Sequence, residues 1–337
     1  MKKVDLSIII LSYNTKKLLQ QCVESLISDQ RPGVRGQIVN WSPVSGCQSP
    51  VISYRSSITD HQSLVTEIII VDNGSTDGSK EYINELTNYE LRIRAILNEK
   101  NLGFARGNNV GIKAARGKYI MLLNSDTVVK KGAIENLINF LEKNDFEKLA
   151  VSPLLLLPDG QPQIDYYMRF PNLWQIFFYH NPVLRTTALK IPFIRDLIAE
   201  KPSFKPFEVD QLPGAALIAS RNVWEKVGLL DEEYKFLFED VDWCWRAKKL
   251  GVKLMVVPQE KIVHIGGASW KQKVKENPHK FFYQFFASML FFVRKNYGKI
   301  KRNIFKWAII LNFCLTLKPT LAWKFLKNDG KQLDFLK

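Results

Sequence analysis

Residues 4–11 (VDLSIIIL) form an isoleucine-rich, mainly apolar run that ends at the polar cluster 12–14 (SYN). A strand apolar on both faces has to be covered on both faces, the condition of a strand inside a parallel sheet. Helical spacing follows at once: Thr15 is a good N-cap, and Leu18, Leu19, Cys22, Val23 and Leu26 recur every three or four positions. The pattern then predicts a strand over 67–71 ending at Asp72, a helix near 75–86, a strand at 92–97, a helix near 105–115 and a strand at 118–123. Strands and helices alternating at this spacing predict βαβ units, hence an α/β domain with a mostly parallel central sheet flanked by helices. Ligands of such sheets bind beyond the carboxyl ends of the strands, and the polar clusters 12–15, 72–79 and 124–127 all fall on that edge.

Two stretches interrupt the rhythm. Residues 29–66 are rich in Pro, Gly and Ser without a period and read as a surface insertion. Residues 153–212 are rich in proline and aromatics and predict short, irregular segments. Regular structure resumes with a strand at 212–221, a helix at 239–250 and strands at 253–257 and 261–264. Helices are predicted over 278–297 and 304–327, the second broken or kinked at Pro319.

Charge is the compositional fact that matters, because it is uneven. The formal net charge is +15, and residues 271–337 carry fifteen Lys/Arg against Glu276, Asp329 and Asp334, or +12 of it. Such a tail suits nucleic acid, anionic lipid or an acidic partner. Within it Trp307, Phe313, Trp323 and Phe325 interleave with Lys299, Lys301, Arg302, Lys306, Lys318, Lys324 and Lys327. That mixture describes an amphipathic helix at a membrane interface. Segment 281–293 (FFYQFFASMLFFV) is too short to span a bilayer and is expected to pack on the domain instead. The four cysteines are widely spaced without a CxxC pair, which argues against a disulfide framework or zinc site and suits a reducing cytosol. The N-terminal apolar run lacks a cleavage site and reads as a buried strand rather than a leader.

Five motifs carry candidate chemistry, each with a plain turn or capping role as its alternative. In IIIVDNGSTDGS (68–79), Asp72 leaves a buried strand and can accept hydrogen bonds from a base or ribose. In NLGFARGNN (101–109), a glycine turn enters a helix with Arg106 nearby, a reasonable anion site. LLNSDT (122–127) delivers Asp126 to the sheet edge as a hard oxygen ligand for Mg²⁺ or Mn²⁺. LLDEEYKFLFEDVDWCWRA (229–247) clusters Glu239, Asp240 and Asp242 at a helix start among aromatics, where a carboxyl pKa can rise; Asp242 and Arg246 are spaced to pair. In VPQEKIVHIGGASW (257–270), His264 ends a strand and can face a cleft or a metal.

Taken in order, SIIILSYN, VDNGSTDGS, NLGFARGNN, LLNSDT, PGAALIASR, GLLDEEYKFLFEDVDWCWRA and VHIGGASW resemble family 2 glycosyltransferases of the GT-A (Rossmann-like) fold, in particular the rhamnosyltransferase-like enzymes of bacterial surface polysaccharide synthesis. The resemblance covers roughly residues 4–297 apart from the insertion. It implies that Asp72 and Asn73 bind the nucleoside, with Ser12, Tyr13 and Asn14 lining the base and ribose pocket. Asn101, Gly103, Arg106 and Asn109 would border the nucleotide. Asn124, Ser125 and Asp126 occupy the family's DXD position, with Asn in place of the first Asp; Asp126 and His264 would ligate a divalent metal. Gly214 and Ala215 would floor the sugar site, and Asp240 would act as general base with Glu239 beside it. The implied reaction is inverting sugar transfer from a dTDP- or UDP-linked donor to a glycan or lipid-linked acceptor, by an enzyme peripheral on the cytoplasmic face of the plasma membrane. The implied division is a catalytic domain over 1–275, with 153–212 on the acceptor side, and a membrane-associating helical region over 276–337. Hexosyl or N-acetylhexosaminyl transfer fits the same motifs. An inactive nucleotide-binding protein at the membrane is a rival class. A nucleic-acid binder is another, but the tail carries no recognition module and none is expected to bind.

Overall fold

The structure, a computed structural model, describes residues 4–30, 64–89, 92–181, 183–201, 203–266 and 277–332. Most of the insertion expected at 29–66, and the end of the VHIGGASW motif, lie outside the described residues.

The first half alternates as expected: β1 (Leu6–Ser12), α1 (Lys16–Gln30), β2 (Thr66–Asp72), α2 (Ser79–Tyr89), β3 (Ile93–Leu97), α3 (Phe104–Ala114) and β4 (Tyr119–Asn124). Then come β5 (Thr127–Val129), α4 (Ala133–Glu142), β6 (Leu149–Leu156), α5 (Arg185–Lys190), α6 (Pro192–Ile198), β7 (Phe207–Glu208), β8 (Ala216–Ser220), α7 (Arg221–Val227), α8 (Glu239–Lys249) and β9 (Lys253–His264). The C-terminal helices are α9 (Pro278–Tyr297), α10 (Lys299–Leu315) and α11 (Pro319–Lys327). Among the described residues one mixed sheet runs β3-β2-β1-β4-β8-β6-β9-β5, with β7 pairing β9. Strands β3, β2, β1, β4, β6 and β9 point the same way, so the sheet is mostly parallel, and β8, β5 and β7 oppose them.

Alternation along β1 and β2 feeds two apolar layers. Ile8, Ile10, Ile68 and Ile70 pack with Leu19, Val23 and Leu26 of α1. Ile9, Ile69 and Val71 pack with Ala105 and Ile112 of α3 on the layer that also holds Trp243 and Cys244. Helix α3 comes close because Gly107 and Gly111 lack side chains: a Cβ at either would overlap Leu11 or Ile9. Of the glycines in NLGFARGNN, Gly107 thus serves helix-to-strand packing, whereas Gly103, at φ +88°, turns the chain into α3.

The structure redraws three sequence expectations. The strands predicted at 253–257 and 261–264 are one strand, β9, whose pairing with β6 jumps from Pro153↔Val257 to Leu154↔Lys261. Pro153 and Pro258 both sit at this bulge, where a missing backbone donor costs little. The stretch 153–212 is irregular only after Leu156, where short helices and turns take over. The helix expected over 304–327 breaks at Pro319 as predicted, but its first part, α10, starts earlier at Lys299; Leu317 at φ 54 separates it from α11. Finally α9 packs on the domain as expected, its Tyr283, Phe286, Met289, Phe292 and Val293 forming a third apolar cluster with Ile176, Tyr234, Phe238 and Val241.

Candidate active site

At the carboxyl edge of β1, β2 and β4 the polar clusters are stitched to one another. Asp72, fully buried, accepts hydrogen bonds at Oδ2 from the Gly74 and Ser75 backbone N–H groups (3.0 and 2.9 Å), while its Oδ1 has no partner. The turn requires glycine at 74, where φ is +81° and a Cβ would lie 2.7 Å from the Lys100 backbone. Asn73 holds the next loop: its amide donates to Asn101 Oδ1 and Gly103 O and accepts from Asn98 and Leu102. Asn14, at φ 51, ties β1 to this turn through Thr76 N–H and Ser75 Oγ. Ser12, Thr15 and Ser125 form a hydroxyl chain with 3.0 Å steps from β1 to the turn after β4.

Beside this edge lies a cavity of about 220 Å³ lined by Tyr13, Asn73, Asn101, Gly103, Asn124, Ser125, Asp126, Gly214, Ala215, Glu239, Asp240 and His264. These come from seven separate stretches of chain. Ser12, Asn14 and Asp72 do not line it; Ser12 and Asp72 are buried and Asn14 is exposed at the sheet edge. Arg106 and Asn109 depart from the expectation outright. Arg106 pairs with Glu232 at 2.8 Å on the surface, and the buried Asn109 amide is used up by Leu230 and Glu232. Both clamp α3 to the 230–232 loop. Sequence reading missed Tyr166, Phe104 and the loop 234–237 with Lys235, which also line the cavity. Lysine at 235 was visible within an acidic, aromatic motif, but nothing local says which way it faces.

Asp126 and His264 face each other, Oδ1 to Nε2, at 3.3 Å, both nearly buried. Gln163 fixes the ring: its amide nitrogen donates to the His264 carbonyl, so its Oε1 is free to accept from His264 Nδ1–H at 2.9 Å. Asn124 Nδ2 lies 3.3 Å from Nε2. With the proton on Nδ1, the Nε2 lone pair and the Asp126 carboxylate converge on one point, an arrangement that either an imidazolium or a cation between them satisfies. Among the described residues no group of three or more His, Cys, Asp or Glu gathers as a metal site. The pair therefore fits a divalent cation only when other oxygen ligands complete it.

At the cavity's other side, α8 begins with Glu239 and Asp240. They follow two consecutive left-handed non-glycine residues, Leu237 (φ 58) and Phe238 (φ 76). Such backbone is costly and persists where packing over-determines it. Here Phe238 is buried against Phe285 and Phe292 of α9, and Ser288 of α9 donates to the Phe236 carbonyl at 2.6 Å. Lys295 of α9 bridges Asp231 and Asp242 at 2.7 and 2.8 Å, and Arg246 also holds Asp242. Burial alone would raise Asp242, but these hydrogen bonds outweigh it and hold the carboxyl below the usual range. Burial raises Glu239, and the adjoining Asp240 charge raises it further. Burial raises Asp240 too, opposed by the Gly214 and Val241 N–H groups at 3.0 and 2.9 Å. Those two donors favour the charged form of Asp240, so of the two adjoining carboxyls it is the one that more readily carries the charge.

This fold is that of the GT-A glycosyltransferases. A mannosyltransferase from Pyrobaculum calidifontis, solved with GDP-Man and Mn²⁺, superposes with a TM-score of 0.54 at 13% identity, over 98% of this chain and 80% of that one. Residues 54–154 match the model of the family described as Glycosyl transferase family 2. An uncharacterized glycosyltransferase of Haemophilus influenzae is 37% identical over 129 residues, 38% of this chain and 40% of that protein. The dTDP-rhamnosyl transferase RfbF of Shigella flexneri is 23% identical over 67% of this chain and 72% of its own length. The chain spans well under two thirds of the first of these relatives.

Proposed function

We propose that the protein is an inverting glycosyltransferase that moves a sugar from a nucleotide-sugar donor to a hydroxyl of a glycan acceptor in surface polysaccharide synthesis. The observation that carries this reading is the shared cavity, with Asp126 and His264 on one side and the adjoining carboxyls of Glu239 and Asp240 on the other. Asp240 accepts the proton of the acceptor hydroxyl as that oxygen attacks the anomeric carbon, and the bond from that carbon to the diphosphate breaks on the opposite face, which inverts it. Glu239, holding its proton, donates a hydrogen bond to a sugar or acceptor hydroxyl. Asp126 and His264 would hold a divalent cation, Mg²⁺ or Mn²⁺, together with the diphosphate oxygens, and that cation supplies charge neutralisation for the leaving group. Lys235, whose side chain has no ion pair among the described residues, adds a second positive charge at the cavity. Asp72, with one buried carboxylate oxygen unsatisfied, has the capacity to accept a nucleoside hydrogen bond.

Rhamnose on dTDP is the first donor to test, because the rhamnosyl transferase similarity spans two thirds of the chain; UDP sugars come next. The acceptor we favour is lipid-linked, used at the cytoplasmic face of a membrane to which the protein binds peripherally. No helix among the described residues is long and apolar enough to cross a membrane. Calorimetric titration with dTDP-, UDP- and GDP-linked sugars, with and without Mn²⁺, tests the donor reading: one nucleotide should bind with metal-dependent affinity. Absence of binding by all three would overturn it.

A further inference from the structure

Helices α10 and α11 bury one side on the protein and leave the other bare. On α10, Phe305, Ile309 and Phe313 are buried, while Ile300, Ile304, Trp307, Leu311 and Leu315 are 80, 50, 59, 51 and 62% exposed. With 3.6 residues per turn these five side chains fall within an arc of roughly 80°, a continuous ridge along the helix. Leu317, in the left-handed turn that follows, is 89% exposed, and Trp323 of α11 is 66% exposed. A ridge of this extent marks a contact surface.

Charge selects the partner. From Lys299 to Lys327 the chain has seven Lys/Arg and no Asp or Glu. Arg302 and Lys306 are engaged by Asp329, whereas Lys299, Lys301, Lys318, Lys324 and Lys327 carry no ion pair among the described residues. A second copy on this face would set lysines against lysines across a two-fold axis. A polyanion such as nucleic acid would meet the lysines and leave the leucine and tryptophan ridge without a partner. An anionic bilayer satisfies both features, with headgroup charge for the lysines and an acyl boundary for the ridge.

We propose that α10 lies in the interface of an anionic lipid bilayer with the Ile300–Leu315 ridge toward the acyl chains. This names the membrane-contacting face of the peripheral association proposed above and rests on that reading for its purpose. Lys301, Ile304 and Phe305 also line a second cleft, of about 1060 Å³, whose far wall includes Trp245. Trp245 belongs to α8, the helix that begins at Glu239 and Asp240. The docked face thereby brings an opening beside the catalytic helix to the lipid surface.

The test is co-sedimentation of the full-length protein with vesicles of phosphatidylcholine alone, or of phosphatidylcholine mixed with phosphatidylglycerol. The wild type should sediment with the mixed vesicles and not the neutral ones, and added salt should weaken the binding. The double variant Trp307→Glu/Leu311→Glu alters two exposed side chains and should lower vesicle affinity about tenfold or more. Its melting temperature and nucleotide-sugar binding should stay at wild-type values. A second variant, Lys299→Glu/Lys301→Glu, should weaken binding to mixed vesicles while keeping the ridge intact. Equal binding by wild type and the ridge variant, binding that ignores phosphatidylglycerol, or a dimer that the ridge variant splits would each overturn the proposal. Vesicle binding is read without turnover, so a protein that docks but transfers no sugar contradicts the transferase reading alone, and one that transfers but never docks contradicts this inference alone.

Discussion

The two sides of the cavity are held in place by different means. Asp126 and the Asn73 loop sit at the ends of β4 and β2, and each strand is pinned by continuous backbone pairing, Ile10↔Leu123 and Ser12↔Asp72 among them. Glu239 and Asp240 have no such ladder. They ride on a left-handed turn at Leu237–Phe238 that α9 pins from some fifty residues further along, through Phe285, Ser288 and Lys295. The proposed donor side is thus built by the sheet and the proposed base side by tertiary packing. The difference predicts separable failures: damage to the sheet edge weakens nucleotide binding, and damage to the brace misplaces the base while binding survives.

The largest effect is expected at the base itself. Asp240→Asn should lower kcat by about 10²–10⁴-fold, the usual worth of a general base, in a coupled assay of nucleotide release. On the donor side, Gln163→Leu frees the His264 ring and should weaken Mn²⁺ affinity by about 10–100-fold in the presence of nucleotide, measured by titration. An unaltered affinity would remove Gln163 as a positioning residue. Lys295→Met tests the brace. It leaves Asp242 with Arg246, Asn296 and the Tyr234 hydroxyl as side-chain partners and should cost about 1–2 kcal/mol in chemical denaturation. Because the folded Asp242 carboxyl is depressed, its contribution is full above the ordinary Asp pKa and is lost as pH falls through the folded value. The loss on substitution should therefore shrink in acid.

Glu239→Gln gives a subtler signature. The acid limb of the rate profile should remain above the ordinary aspartate range, since burial is what raises Asp240, while an alkaline inflection from Glu239 ionisation should vanish. A drop of the acid limb would mean that the two protons are assigned the wrong way round. Smallest of all is Arg106→Ala, an exposed pair worth at most about 1 kcal/mol, with no change in nucleotide affinity. A clear fall in affinity would restore Arg106 to the anion site.

What could be read in advance follows the same divide. Strands β1 to β4 announce themselves through isoleucine runs and polar closures, so Asn73, Asn124 and Asp126 were legible as edge residues. Strand β6 was obscured by Pro153 and β9 by Pro258, because a proline reads as a breaker until the shared bulge is seen. Short α7 and the three residues of β5 carry too little period to register. Asn109 looks like a ligand in NLGFARGNN, and only the fold shows it bound to Leu230. Tyr166, Gln163 and Lys235 reach the cavity through contacts with residues distant in the chain, for which a linear pattern holds no signal. Trp307 and Phe313 were read together as interfacial, yet the helix phase divides them: Phe313 is core and Trp307 is surface.

We propose that donor grip and base are separate devices meeting in one cavity. The most direct test is calorimetric titration of the preferred nucleoside diphosphate with Mn²⁺ into Asp126→Asn and Asp240→Asn side by side. Asp126→Asn should lose metal-dependent binding, and Asp240→Asn should bind like wild type while failing to transfer sugar. Equal loss of binding in both variants, or sugar transfer by Asp240→Asn at the wild-type rate, would contradict the proposal.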